Sequence, residues 1–281
     1  MLYIKHITLL LGTSFYLCLG YSQTIDDLVS KERYLRIMFY NTENLFDTEN
    51  DSLTTDEEFL PNGPKFWTSN KYYTKLNQIA TTIVSIGGWT SPEIIGLCEV
   101  ENRKVLDDLC KKTGLKNLNY RIIHKESPDN RGIDVALLYQ KDSFKPLGYK
   151  AIQVTFPFSP GSTTRDILYV KGLTKNEDTL HLFVNHWPSR WGGQLESESR
   201  RMEAAKTLKT QTDSIFNNYQ NAKIVIIGDF NDYPDNKSIK QILKASNNFE
   251  NFVNYELYNL SAFIEQMQIL AVTNKKGIGE C

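Results

Sequence analysis

The chain has 281 residues, of which 41% are hydrophobic and 23% are charged. These proportions are those of a globular protein, and they exclude a disordered or collagen-like chain. The 32 basic residues against 33 acidic residues give a net charge of -1, which argues against nucleic-acid or membrane affinity resting on a broad basic surface. A phosphate-bearing substrate is still allowed, because a bound metal ion can supply local positive charge.

Residues 1–22 have the pattern of a secretory signal peptide. Lys5 precedes an apolar run, and the small residues Gly20 and Ser22 stand three positions and one position before a cleavage site at Gln23. The run is too short to indicate a membrane anchor, and a buried N-terminal strand or helix is the alternative. We therefore predict an exported protein, periplasmic or secreted, with no stable membrane anchor and one domain over residues 23–281.

The four cysteines do not indicate a disulfide framework. Cys18 lies in the predicted signal peptide, which leaves Cys98, Cys110 and Cys281. Three is an odd number, and none of the spacings matches a metal-binding motif. Cys98 lies in an apolar run, so we expect it to be a buried free thiol.

Strands and helices alternate along the rest of the chain. Strands are predicted at residues 35–40, 93–98, 120–124, 133–139, 151–155, 167–171, 179–185 and 222–227, and helices at 71–86, about 105–114 and 196–219. No internal repeat or linker interrupts this order. The pattern therefore predicts one mixed α/β domain.

An acidic loop follows the first strand. Its acidic residues are Asp47, Glu49, Asp51, Asp56, Glu57 and Glu58. Pro61, Gly63 and Pro64 keep the loop irregular. A solvated loop is the simpler interpretation, and calcium binding is the alternative.

Polar residues recur where apolar strands end. They are Asn41, Glu99, His186 and the pair Asp229 and Asn231. An Asp or Asn after a strand is usually a turn residue or helix cap, and His186 alone is more often structural than catalytic. For Glu99 a structural role and a metal ligand are both open, because an ionised carboxylate close to an apolar run needs a partner. Together they are typical of a rigid sheet that presents ligands at its edge. Hard oxygen donors without a cysteine and histidine cage favour Mg²⁺ or Mn²⁺ over structural zinc.

Five segments carry a resemblance to a known family. They are Phe39-Tyr40-Asn41, Gly96-Leu97-Cys98-Glu99-Val100, Arg131-Gly132-Ile133-Asp134, Val184-Asn185-His186-Trp187-Pro188 and Gly228-Asp229-Phe230-Asn231. In this order and spacing they resemble the endonuclease/exonuclease/phosphatase superfamily, and most of all its exported bacterial members related to DNase I. The resemblance runs from about Leu35 to about Asn274. It implies a DNase I-like two-sheet α/β sandwich with outer helices and a site at one end of the sheets.

The same resemblance implies roles for the strand-end residues. Glu99 would be the principal metal ligand, with Asn41 beside it, for Mg²⁺ or else Mn²⁺. Asp229 would position or activate the attacking water, and Asn231 would orient the phosphate or the metal. His186 would be a general acid or would hydrogen-bond the phosphate, which suits an imidazole that titrates near neutral pH.

Four further residues are candidates for a role in the site. Arg165 opens a strand and could clamp a phosphate group, and a solvated strand-end arginine is the alternative. Arg131, Asp134 and Arg190 are the other three.

The end of the sequence departs from the superfamily pattern. Members normally continue to another Asp near a strand and finish with a Ser-Asp-His segment. In this chain no Asp follows Asp235 and no His follows His186. We therefore expect a C-terminally truncated chain that lacks the last strands and whose activity is in doubt.

The sequence thus predicts a divalent-metal-dependent phosphodiester hydrolase of nuclease-like type. Its substrate would be a nucleic acid or a small phosphodiester, and its oligomeric state is left open. Two alternatives remain at this point. One is a phosphomonoesterase that acts on lipid or inositol phosphates. The other is a catalytically dead remnant or binding module, because losing one catalytic group can abolish the action of the whole set.

Overall fold

A computed structural model shows two four-stranded β-sheets with helices. It describes residues 35–87, 90–219, 221–250 and 252–262. The predicted signal peptide and the segment after Ala262 lie outside the described residues. The predictions of export, domain bounds and truncation therefore stay predictions.

The first sheet contains the N-terminal half of the strands. They are β1 (Ile37–Leu45), β2 (Ile94–Val100), β3 (Tyr120–His124) and β4 (Asp134–Gln140), in the order β1-β2-β4-β3. β1 and β2 are parallel, and the other two pairs are antiparallel. The carboxyl ends of β1 and β2 therefore lie at the same edge, where Asn41 pairs with Cys98.

The second sheet contains the next four strands. They are β5 (Phe144–Ile152), β6 (Ile167–Thr174), β7 (Thr179–His186) and β8 (Lys223–Asp229), in the order β5-β6-β7-β8. β7 and β8 are parallel and place His186 opposite Asp229. Two-residue strands β9 (Ala245–Ser246) and β10 (Leu257–Tyr258) form a separate pair.

Three helices pack on the sheets. They are α1 (Ser69–Ile86), α2 (Arg103–Lys111) and α3 (Gln194–Asn218). α1 and α2 share a buried cluster with the first sheet, and α3 shares another with the second sheet. No helix within the described ranges is both long enough and apolar enough to cross a membrane. The predicted two-sheet α/β sandwich is confirmed.

Capping residues fix where two helices begin. The Thr68 side chain accepts a hydrogen bond from the backbone N of Lys71, and the Asn102 side chain accepts one from Val105. Such caps satisfy backbone donors that the first helical turn leaves open. They explain why α1 and α2 each start two residues before the start that was predicted from the spacing of apolar residues.

One strand prediction was wrong. The strand predicted at 151–155 is instead β5, which runs from Phe144 to Ile152. Pro146 and Gly148 flank an irregularity in its pairing with β6. Most of β5 is exposed, so burial imposes no clear alternation of apolar and polar residues there.

The acidic loop is only partly solvated. Asp47 and Asp56 are 4% and 1% exposed. The Nζ atom of Lys104 lies 2.9 Å from Asp47 Oδ2, and therefore provides a counter-charge. Calcium binding by this loop stays a prediction. Cys98 is a buried free thiol, as expected.

The two sheets pack closely at Gly96. A Cβ atom there would lie 2.6 Å from Ile227 Cδ1 and 3.2 Å from Val184 Cγ1. Gly96 belongs to β2, and its two neighbours belong to the second sheet. The absent side chain therefore sets how near the two sheets can come.

We predict that Gly96→Val lowers the free energy of unfolding by about 1–3 kcal/mol, because its side chain overpacks the space between the sheets. Urea denaturation measures the change. Gly148→Val is the matched control, since a Cβ at that exposed strand glycine meets nothing within 4 Å. Equal destabilisation of both variants would contradict this account of the packing.

Candidate active site

Asn41 lies where the two sheets meet. Its Nδ2 donates to Glu99 Oε1 and to Asp229 Oδ2, and both distances are 3.1 Å. Its Oδ1 accepts a 2.8 Å hydrogen bond from the backbone N of Glu43. Asn41 therefore holds a carboxylate of each sheet through its amide nitrogen. Coordination of a metal by Asn41 stays a prediction.

Glu99 reaches this cluster because its backbone leaves the regular strand. Its φ is 59°, in the left-handed region, and the pairing of β2 with β4 shifts between Cys98 and Val100. Thr42 Oγ1 lies 2.8 Å from Cys98 O and 2.9 Å from Glu99 O. A bulge of this kind re-aims a side chain, and left-handed non-glycine residues are concentrated at functional sites.

Asp229 and Asn231 form a tight turn after β8. Asp229 Oδ1 accepts a 3.0 Å hydrogen bond from the backbone N of Asn231, whose φ is 50°. Asn231 Nδ2 donates to the carbonyl oxygen of Trp187 at 3.1 Å. The turn therefore connects the end of β8 to the loop that follows β7.

His186 lies beside Glu99, but its protonation differs from the expectation. Its Nε2 is 3.7 Å from Glu99 Oε1, and the residue is 5% exposed. Burial, together with the charges of Arg165 and Arg131, lowers the pKa of His186 from 6.5 to about 2. The near-neutral titration expected from the sequence was wrong. Its Nδ1 is buried and has no hydrogen-bond partner among the described residues.

Arg165 is buried rather than solvated. It is 8% exposed, its Nη2 donates to Trp187 O at 2.7 Å, and its Nη1 lies 3.3 Å from Asp129 Oδ2. Its Nε is buried without a partner among the described residues. The alternative of a solvated strand-end arginine was wrong. Arg165 is a fixed cation close enough to His186 to depress the pKa of that imidazole.

The other three candidates, Arg131, Arg190 and Asp134, make different contacts. Arg131 is exposed, donates to Asn44 Oδ1, and its charge contributes to the lowered pKa of His186. Arg190 Nε donates to the carbonyl oxygen of Asn231 at 2.8 Å, and so supports the turn. Asp134 contacts His124 and Ser127. It does not contact the strand-end cluster, our name for Asn41, Glu99, His186, Asp229 and Asn231.

Lys75 is a residue that the sequence reasoning missed. Its Nζ donates to the carbonyl oxygen of Glu43 at 2.6 Å. Burial lowers the pKa of Lys75, while the charges of Glu43 and Glu99 act in the opposite direction. Lys75 lies on α1, 24 residues before Glu99 along the printed chain. No motif in the sequence signalled that a helix would supply this cation.

A family model for the endonuclease/exonuclease/phosphatase family matches residues 36–277. The chain belongs to this family. The match includes every residue of the strand-end cluster. A search of curated proteins found no match.

Solved structures support the fold. A family protein from Bacteroides thetaiotaomicron is 15% identical with a TM-score of 0.51, and the match covers 75% of this chain and 66% of that one. ANGEL2, described as a 2',3'-cyclic phosphatase, is 15% identical with a TM-score of 0.52, over 75% and 56% of the chains. The human Nocturnin catalytic domain is 20% identical with a TM-score of 0.46, over 59% and 60%. The chain thus spans about 60% of the Nocturnin structure. At 15% identity, the first two matches show the fold alone.

We predict that Asn41→Ala lowers the free energy of unfolding by about 2 kcal/mol in EDTA, because Glu99 and Asp229 lose their shared donor. Urea denaturation without divalent metal measures this. The control is Asn77→Ala, whose side chain donates to Tyr73 O on the exposed side of α1. A change at Asn41 no larger than that of the control would refute the bridging role.

We predict that His186 makes stability depend on pH. Unfolded His186 binds a proton near pH 6.5, whereas folded His186 does not, so its contribution falls as the pH drops below 6.5. Between pH 7 and 5.5, wild type should lose about 1 kcal/mol more than His186→Asn. Urea denaturation in EDTA at both pH values measures the difference. Identical losses would show that folded His186 titrates normally.

Proposed function

We propose that this chain is a divalent-metal-dependent phosphodiester hydrolase of nuclease-like type. One observation carries the proposal: the amide of Asn41 joins the carboxylates of Glu99 and Asp229. Two carboxylates that share one donor form a site of concentrated negative charge, which a cation would stabilise. Family membership supports hydrolysis of phosphate esters as the reaction class.

The donor set fits Mg²⁺ or Mn²⁺. Glu99 and Asp229 offer hard carboxylate oxygens, and Asn41 Oδ1 is a further oxygen in the same cluster. No cysteine contributes to this cluster within the described ranges, so its chemistry favours a hard cation. When bound, such a metal polarises a phosphoryl oxygen and offsets negative charge during displacement.

The protein side chains would orient the phosphate and the attacking water. Arg165 and Arg131 would attract the phosphate charge from the His186 side of the cluster. Neutral His186 would hydrogen-bond a phosphate oxygen, a role that needs no change of protonation. An oxygen of Asp229 would accept a proton of the attacking water, while the bond from Asn231 N holds that carboxylate in place.

The substrate is proposed to be a nucleic acid or a small phosphodiester. The net charge of the chain is -1, which does not favour binding through a broad basic surface. We therefore attribute the proposed affinity for the phosphate to the local arginines and the metal. Export to the periplasm or the medium is part of this proposal and rests on the sequence of residues 1–22. No specific observation favours the lipid-phosphate alternative.

We predict that this 281-residue chain hydrolyses bis(p-nitrophenyl) phosphate in Mg²⁺ and loses that activity in EDTA. Asp229→Ala should lower kcat by roughly 10²–10⁴-fold, because the attacking water loses its proton acceptor. Steady-state kinetics measure both effects. Asp178→Ala is the control, since this carboxylate pairs with Lys223 at the other end of β8.

Two outcomes would contradict the proposed function. Equal background rates from wild type and Asp229→Ala would exclude activity of this chain on phosphodiesters. Full activity of Glu99→Ala at every Mg²⁺ concentration would exclude the metal assignment. Preserved circular dichroism of each variant separates loss of activity from loss of folding.

A further inference from the structure

A second group of metal-ligating side chains lies outside the strand-end cluster. His124 ends β3, Asp134 begins β4, and Glu126 lies in the loop between them. One donor atom from each of the three lies within 4.8 Å of the other two. The antiparallel pairing of His124 with Ala136 keeps the first two close. We call His124, Glu126 and Asp134 the hairpin cluster.

The distances in the hairpin cluster suit a small ion. His124 Nε2 lies 3.0 Å from Asp134 Oδ2, and His124 Nδ1 lies 3.9 Å from Glu126 Oε1. A tetrahedral ion with bonds of ~2.1 Å keeps its ligand atoms roughly 3.4 Å apart. The two separations start from different imidazole nitrogens, of which one would ligate the ion. With one donor atom taken from each residue, the three atoms lie within 4.8 Å of one another, so the side chains would draw closer together around a bound ion.

The three side chains of the hairpin cluster differ in solvent exposure. The side chains of His124 and Asp134 are 3% and 2% exposed, whereas that of Glu126 is 66% exposed. Two of the proposed ligands are therefore buried at the sheet, and the third is exposed to solvent. Asp134 Oδ1 also accepts a 2.8 Å hydrogen bond from the backbone N of Ser127, which orients the carboxylate.

The charge around the hairpin cluster is unbalanced. Glu126 and Asp134 are close enough for their charges to repel, Asp51 adds a further negative charge, and the imidazole of His124 opposes them. Carboxylates that repel each other are stabilised by a proton or by a metal cation. The hairpin cluster therefore sets two carboxylates against one imidazole.

Asp166 provides an independent sign of a missing partner. Its Oδ1 is buried and has no hydrogen-bond partner among the described residues. Asp166 is close enough to Asp134 for the two negative charges to interact, and Lys125 opposes them. A buried carboxylate oxygen without a partner is costly. A positive ion beside Asp134 would reduce that cost.

We propose that His124, Glu126 and Asp134 bind a transition-metal dication such as Zn²⁺ at a site separate from the Glu99 and Asp229 pair. One imidazole nitrogen with two carboxylates suits this class of ion, whereas Mg²⁺ and Ca²⁺ prefer oxygen donors alone. The loop that carries Glu126 also carries Asp129, the partner of Arg165. An ion in the hairpin cluster would therefore hold the loop that fixes this arginine.

Zinc binding by the whole chain tests the proposal. Equilibrium dialysis with Zn²⁺ and metal analysis compares wild type with His124→Gln and Glu126→Gln. We expect each variant to lose one equivalent of zinc or to bind it at least tenfold more weakly. Glu57→Gln, at another exposed glutamate, should bind as wild type does, and Glu99→Gln reports separately on any zinc held at the proposed catalytic metal site.

The result can overturn the proposal in two ways. Absence of zinc binding by wild type would refute it, and so would wild-type stoichiometry and affinity in both hairpin variants. If His124→Gln fails to fold, Glu126→Gln still decides, because the glutamate side chain is 66% exposed. Loss of zinc from Glu99→Gln alone would assign the ion to the strand-end cluster and refute the hairpin site.

Discussion

The hydrogen bonds of the Asn41 amide are the contacts on which the candidate site depends. They bring Glu99 of the first sheet and Asp229 of the second within 3.1 Å of one nitrogen. Two carboxylates would otherwise repel at this separation. The arrangement requires a short distance between the sheets. Gly96 permits this distance, because a side chain at that position would collide with Ile227. Site geometry is therefore a property of the whole sandwich.

Much of this arrangement could be predicted from the sequence. Apolar runs that end in polar residues identified β1, β2, β7 and β8, because buried strands need apolar side chains and sheet edges can present polar ones. The structure brings the predicted residues Asn41, Glu99, His186 and Asp229 together. The sequence also identified Arg165 as a candidate. It did not indicate that Arg165 would be held by hydrogen bonds to Trp187 and Asp129.

Other features depend on tertiary surroundings that a residue pattern does not encode. The left-handed backbone of Glu99 follows from a bulge against β4, and sequence does not locate bulges. His186 is neutral because it is buried beside arginines from distant segments. Lys75 approaches from a helix whose apolar spacing predicted packing alone. Exposed β5 was misplaced because no burial pattern marks an edge strand.

The bond between Asn41 and Asp229 joins residues 188 positions apart in the chain. Closing so long a loop costs more entropy than closing a hairpin, and such pairings form slowly. During synthesis, Asn41 and Glu99 leave the ribosome before Asp229, and they stay without it until β3 to β8 have been made. The complete carboxylate pair exists only after both sheets have formed. The proposed binding of a divalent cation by this pair would therefore report that folding is complete.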